Sequence, residues 1–470
     1  LSGVRGLIHW TQRRLWHPFH VQIPGSDRIR RYARRRPRCD NFKCRWCAYS
    51  LRDRRGGSPR RDLSNQPGIQ KYHNLCIDGN GGAFAVWVDK NGSGTYRGTH
   101  LGSLQSDILT TGDGMLVSNH QSGGFSLENA GDGSAVMVWT ENVIVDVNDT
   151  PDNSTDDIEA ADLRAQKFNS NMETLWNEDD SNSGKIICND DYLQHKPKVT
   201  TFNDNVIVVW RDLRSDDDGD VYAQILDSEG NGILEENGVV VCDDEGQQAS
   251  PRVKTDGTNA FIYWEDKRDN NVDPYIQKMN QNGDLMWTNN GIQLLSDPED
   301  QDQVRMAVDN NGGAFFTWMD GRGNSNSEWA GPDIYATHID GDGNITFSSG
   351  IIIDNNSGPQ IDPLVKCNND GQAYIVWSDQ KDGSNIGIEI QIGTTGGIQL
   401  QSNGQEIWYG VDGNALLSDG VNSGDGSYLV AWEDNRYLST GHPGSYTYGL
   451  LVEENMNLDS HETSPPLSLN

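Results

Sequence analysis

Four aspartates fall within five positions at Asp216-Asp217-Asp218-Gly219-Asp220. Carboxylates this close repel one another unless a cation or water screens them, so Asp216, Asp218 and Asp220 are candidate ligands for calcium. A structural reading competes with this one. Asp220 has counterparts at Asp162, Asp273 and Asp333, each just ahead of a strand-like stretch, which makes it equally a strand-entry residue. No other cofactor is indicated.

Aromatic side chains stand among polar ones in two further places. Trp329 lies within "GRGNSNSEWAGPD", and Tyr437, His442 and Tyr446 lie within "RYLSTGHPGSYTYG". Flat apolar faces for a ring and polar groups for its hydroxyls are what a sugar-binding surface needs. The structural alternative packs Trp329 and Tyr437 onto their own loops. A third long stretch, from Asn142 to Ala161, is acidic and reads as a loop. Acids are plentiful, but no singular pair stands out for glycoside chemistry. Histidines His195, His338 and His442 fall in different parts of the chain, and no nucleophile triad is assembled.

These candidates are set in a repeat. A short apolar run followed by Trp-x-Asp-x-Arg recurs as Trp210, Asp212, Arg214; Trp264, Asp266, Arg268; and Trp318, Asp320, Arg322. It returns as Trp377, Asp379 with Lys381, and as Trp432, Asp434, Arg436, after two worn copies at Trp87 and Trp139. A period of about 55 residues marks a repeat architecture, and a residue present in every copy is first a structural residue. On the structural reading the Trp fills the space between neighbouring copies, and the Asp and Arg pair at the strand exit with each other or with a neighbouring loop; the functional alternative has the Asp carboxylates line one mouth of the channel and hold metal or sugar.

One copy shows what each unit contains. "PRVKTDG" (Pro251 to Gly257) alternates; "NAFIYWED" (Asn259 to Asp266) is an apolar run; "DPYIQKM" (Asp273 to Met279) and "GIQLLS" (Gly291 to Ser296) follow. Four short strands and no helical period describe one blade of a β-propeller. The turns agree. Asp227 to Asn231, Asn280 to Asp284 and Asp340 to Asn344 each open with Asp or Asn and carry Gly three places later, as tight hairpins require.

The expected fold is therefore all-β: a seven-bladed β-propeller of four-stranded antiparallel blades over residues 63–455, with a C-terminal tail at 456–470. The seventh unit lacks a fourth strand, and Leu63 to Ile69 is a candidate to supply it.

Charge divides the chain. Residues 1–61 hold 17 Lys and Arg against three acids, net +14, whereas the remainder is −46 within a total of −32. The segment 1–62 is read as disordered or mis-translated, with a basic arm for anionic surfaces and a zinc knuckle on Cys39, Cys44 and Cys47 as alternatives. The acidic body repels phosphate backbones, which argues against nucleic acid as its partner. Cys76, Cys188, Cys242 and Cys367 are expected as buried free thiols. No apolar run is long enough for a membrane span.

The phrases "AFIYWEDKR", "VYAQILDSEGNGILEENGVVVC" and "PDIYATHIDGDGNITF" resemble the repeats of large secreted or cell-surface bacterial propeller proteins. That resemblance covers about residues 66–455. It implies an extracellular or cell-surface location and a non-enzymatic scaffold or adhesion role, with glycans or other surface proteins as partners. The alternatives are a polysaccharide-active enzyme, and a subunit of a self-assembling extracellular filament.

Overall fold

The computed structural model describes residues 9–11, 70–90, 95–101, 114–118, 124–145, 158–177, 183–269, 271–295, 301–322, 331–380, 386–399, 402–408, 415–422, 428–434 and 446–452. Among them every regular element is a strand, and no helix occurs, so none is long and apolar enough to cross a membrane.

Each apolar run becomes the second strand of an antiparallel sheet. In the Trp264 copy, Gln248–Thr255 pairs with Ala260–Asp266, which pairs with Asp273–Met279, which pairs with Ile292–Gln293. The second strand is flanked on both sides, so nearly every residue of it is buried and the run is apolar throughout. Turn chemistry does what the sequence implies. Asp227 Oδ1 accepts the amides of Glu229 and Asn231, closing the hairpin after the third strand of the Trp210 sheet.

The strands form a series of propeller blades in two compact units. The unit Trp46–Ser296 holds the Trp87, Trp139, Trp210 and Trp264 sheets. Here Val136 and Val138 of one sheet share a core with Val206, Val208 and Trp210 of the next. Phe202, Ile207 and Val209 likewise meet Ile262 and Trp264. The unit made of Leu1–Arg45 and Asp297–Asn470 holds the Trp318, Trp377 and Trp432 sheets, with Phe315 and Ile334 packed against Ile375 and Trp377. Trp139, Trp210, Trp264 and Trp377 therefore work between sheets.

Three features depart from the sequence reading. Both ends of the stretch from Asn142 to Ala161 are strand rather than loop, and residues 146–157 lie outside the described residues. Ala135–Val145 and Ile158–Phe168 form a long ladder in which Asn142 pairs with Ala161, because Val143, Ile144 and Val145 continue the strand. The fourth strand of the Trp432 sheet is His9–Thr11, paired with Tyr446–Tyr448. Leu63 to Ile69 lies outside the described residues. Finally, the Trp377 sheet carries five strands, since both Gly397–Ile398 and Gln405–Trp408 pair with Gly387–Thr394.

Candidate functional site

The repeated phrase builds a closed box of hydrogen bonds. Trp210 Nε1 donates to Asp212 Oδ2 at 2.7 Å, and Arg214 forks onto the same carboxylate at 3.0 and 2.6 Å. The Trp264–Asp266–Arg268 copy repeats this at 2.8, 2.9 and 2.7 Å. The Trp318–Asp320–Arg322 copy does so with a 2.7 Å Trp318 bond. The guanidinium also lies over a tyrosine of the third strand, Tyr222, Tyr275 or Tyr335. In the first two copies it donates to a cysteine of the preceding sheet, Cys188 or Cys242. Every polar atom of the carboxylate is engaged, which leaves these residues a framework role.

A glycine completes each box. Gly238 precedes the fourth strand with φ of +87°, and a Cβ there would stand 2.4 Å from Trp210 Cη2. The same approach recurs at Gly291 on Trp264, Gly350 on Trp318 and Gly404 on Trp377. Only glycine admits both the backbone conformation and the ring.

The Trp377 sheet departs from this plan. Register places a tyrosine opposite tryptophan in four copies (Trp210–Tyr222, Trp264–Tyr275, Trp318–Tyr335, Trp432–Tyr448), yet Trp377 faces Glu389. The place taken by Cys188 and Cys242 at the end of a fourth strand is taken by Asp354. Trp377 Nε1 accordingly donates to Asp354 Oδ2 at 2.9 Å rather than to Asp379. Asp379 Oδ1 receives Gln360 Nε2 at 3.0 Å. Asp354, Asp379 and Glu389 are all buried, with one oxygen of each within 4.8 Å of the others, an arrangement able to hold a metal ion. Lys381, which stands where the other copies have arginine, lies outside the described residues.

Glu389 also opens onto a cleft of about 410 Å³, lined by Asn356, Ser402, Asn403, Gln405 and Glu406 as well. Glu389 and Glu406 are directly opposite across the third and last strands. Like charges in that relation oppose pairing unless something else compensates. Asn403 Nδ2 donates to Asn356 Oδ1 at 3.0 Å, fixing one wall. The cleft thus presents amides, a hydroxyl and two carboxylates, and no aliphatic side chain.

Of the residues singled out from sequence, Trp329, Tyr437, His442 and Arg436 lie outside the described residues. Tyr446 opens the strand Tyr446–Val452, its backbone paired with Asp434 and Thr11. Trp432 and Asp434 lie on the second strand of the same sheet. Asp216 Oδ1 accepts the amides of Asp218 and Gly219 at 2.8 and 2.7 Å, and Asp218 is exposed. Asp220 is buried beneath them, and burial together with the charges of Asp216, Asp243 and Asp212 pushes its carboxyl up to about 6. The four described cysteines are free thiols. Sequence reading passed over Asp354 and Glu389. Aligning the third strands "VYAQIL", "PYIQKM", "IYATHI" and "IEIQIG" would have exposed the glutamate in the tyrosine column.

No family model and no curated protein matches the chain. Among solved structures it is similar to the polysaccharide lyase Uly1, at 11% identity and a TM-score of 0.46, over 80% of this chain and 88% of that one. An α-L-arabinanase of Penicillium chrysogenum, bound to arabinobiose, matches at 12% identity and a TM-score of 0.35, over 69% and 92%. An α-L-arabinofuranosidase of Fusarium graminearum matches at 11% and 0.35, again over 69% and 92%. At these identities and scores no activity and no residue role passes to this chain.

Proposed function

We propose that this propeller is a carbohydrate-recognising module whose ligand lies in the cleft of the Trp377 sheet. The observation that supports it is local. The Trp377 copy sets a glutamate where the Trp210, Trp264 and Trp318 copies have tyrosine, and places Glu389 at an opening lined by Asn356, Asn403, Gln405, Ser402 and Glu406. Carboxylates accept from sugar hydroxyls, and side-chain amides both donate and accept, so such walls match pairs of neighbouring hydroxyls. The proposal includes an extracellular setting, in keeping with the acidic body. Binding of neutral polysaccharides, measured by affinity electrophoresis, should weaken at least about tenfold in Glu389→Gln and Asn403→Ala. Unchanged retardation of both variants would reject the site.

A second reading is favoured by the Glu389–Glu406 pair. One glutamate is buried and the other exposed, both line the same cleft, and two carboxylates in unlike surroundings suit acid and base roles in glycoside cleavage. Release of reducing ends or unsaturated products from a polysaccharide panel, lost in Glu389→Gln, would favour it over simple binding.

A further inference from the structure

Away from that cleft, Asp220 opens the third strand of the Trp210 sheet and Gln248 opens the first strand of the Trp264 sheet. The Gln248 amide donates to the Gly219 carbonyl at 3.0 Å, which sets the two residues side by side. Both are buried, at 1% and 0% exposure.

The orientation of the Gln248 amide is fixed. Its Nε2 donates to the carbonyls of Asp244 and Gly246 at 3.1 and 2.9 Å. Exchanging oxygen for nitrogen would set an acceptor against two acceptors, so Oε1 is turned away from that loop. No donor among the described residues reaches Gln248 Oε1 or Asp220 Oδ2. The charged neighbours of Asp220 are themselves carboxylates, Asp216, Asp243 and Asp212, and the Ser215 hydroxyl, which donates to the Asp220 carboxyl, offsets them only in part. Asp212 is neutralised by Arg214, and one oxygen of Asp216 is held by the turn amides.

Buried oxygen acceptors without donors, in negative surroundings, cost several kcal/mol unless a cation or proton meets them. An oxygen set that mixes carboxylate with amide carbonyl is the chemistry of calcium. Magnesium demands a stricter octahedron and keeps its waters.

We propose that the junction of the Trp210 and Trp264 sheets binds Ca²⁺, with Asp220 Oδ2 and Gln248 Oε1 as direct ligands and Asp216 and Asp243 supplying charge. The ion joins one sheet to the next. An analogous junction exists where the Gln360 amide donates to the Pro332 carbonyl beside Asp333, but Asp320 is the carboxylate that acts on Asp333 there. That junction serves as the internal control.

The test uses the full chain, stripped with chelator and titrated with CaCl₂, reading the melting temperature and calorimetric binding. The wild type and Asp333→Asn should be stabilised with a midpoint of roughly 0.1–1 mM. Asp220→Asn and Gln248→Met should weaken binding at least about tenfold while retaining the β-sheet circular dichroism spectrum. Absence of any calcium response in the wild type would overturn the proposal. So would a response kept in Asp220→Asn and lost in Asp354→Asn, which would put the ion in the Trp377 sheet. Stabilisation by mild acid with none by calcium would show that a proton holds the two oxygens together.

Discussion

Arg268 lies flat on Tyr275, its guanidinium carbon 4.0 Å from the ring centroid, while the same group forks onto the buried carboxylate of Asp266. One cation thereby neutralises a fully buried charge, covers an aromatic face and reaches the Cys242 sulfur of the preceding sheet. Removing it would leave Asp266 charged, buried and without its counter-ion. Arg268→Ala is expected to cost about 3 kcal/mol in urea unfolding, and Arg268→Lys about half of that, because lysine cannot fork. A loss within error of zero for Arg268→Ala would show that the box contributes little.

The tryptophan–glycine approach gives a second expectation. Gly238→Ala sets a Cβ against Trp210 in a backbone conformation that alanine avoids. The expected destabilisation is roughly 3 kcal/mol. Gly257→Ala is the useful comparison: its φ is also +87°, but a Cβ there meets nothing. It should cost about 1 kcal/mol, so the difference between the two melting temperatures isolates the contact with the ring.

Two aspartates should move stability in opposite directions with pH. Burial would raise Asp309, but the His338 hydrogen bond at 2.8 Å and the amides of Asn311 and Gly313 outweigh it and hold the carboxyl below its usual range. Its stabilisation is present above the unfolded-state value near 4 and is lost as pH falls through the lower folded value. Asp333 is pushed up to about 6 by burial and by Asp320. Its contribution is complete below about 4 and fades as pH rises to 6. Asp309→Asn should therefore lower the melting temperature at pH 7 and matter less in strong acid. Asp333→Asn should raise it at pH 7 and leave it nearly unchanged at pH 4.

Burial pushes the thiols of Cys188 and Cys242 up to about 12, against the nearby Arg214 and Arg268. Thiolate is the reacting form, so both should resist iodoacetamide in the native protein at pH 8 and react once urea unfolds it. Mass spectrometry of the labelled peptides reads this directly. Rapid native labelling would mean that the box opens.

Restoring the Trp377 sheet to the common plan should separate its two roles. Asp354→Cys with Glu389→Tyr and Lys381→Arg replaces clustered carboxylates by the arrangement around Trp264. A gain of about 1–3 kcal/mol is expected, with ligand retention abolished. A less stable triple variant would show that the carboxylates are themselves part of the framework.

Much of this was legible in the sequence because period and turn chemistry are local. The run "AFIYWED" announces a doubly flanked strand, and Asp227 with Gly230 announces its hairpin. Other features depend on partners distant in sequence. Gly238 reads as an ordinary turn glycine until the Trp210 ring is seen against it. His9–Thr11 carries no pattern that distinguishes it from the basic residues around it, since three residues cannot display a period. Glu389 looks like one acid among 69 Asp and Glu until register sets it opposite Trp377 and beside Asp354.

The glycine seated under the indoles of Trp210, Trp264, Trp318 and Trp377 has a wider consequence. Because one locking device is installed again and again, a change at one sheet leaves the device in place at the others. A chain built from spare parts can let one of them degenerate and still stand, and the degenerate copy becomes raw material for chemistry. Novel sites in such a protein should be sought where the lock is kept but its surroundings have changed, as Glu389 and Asp354 have changed them around Trp377.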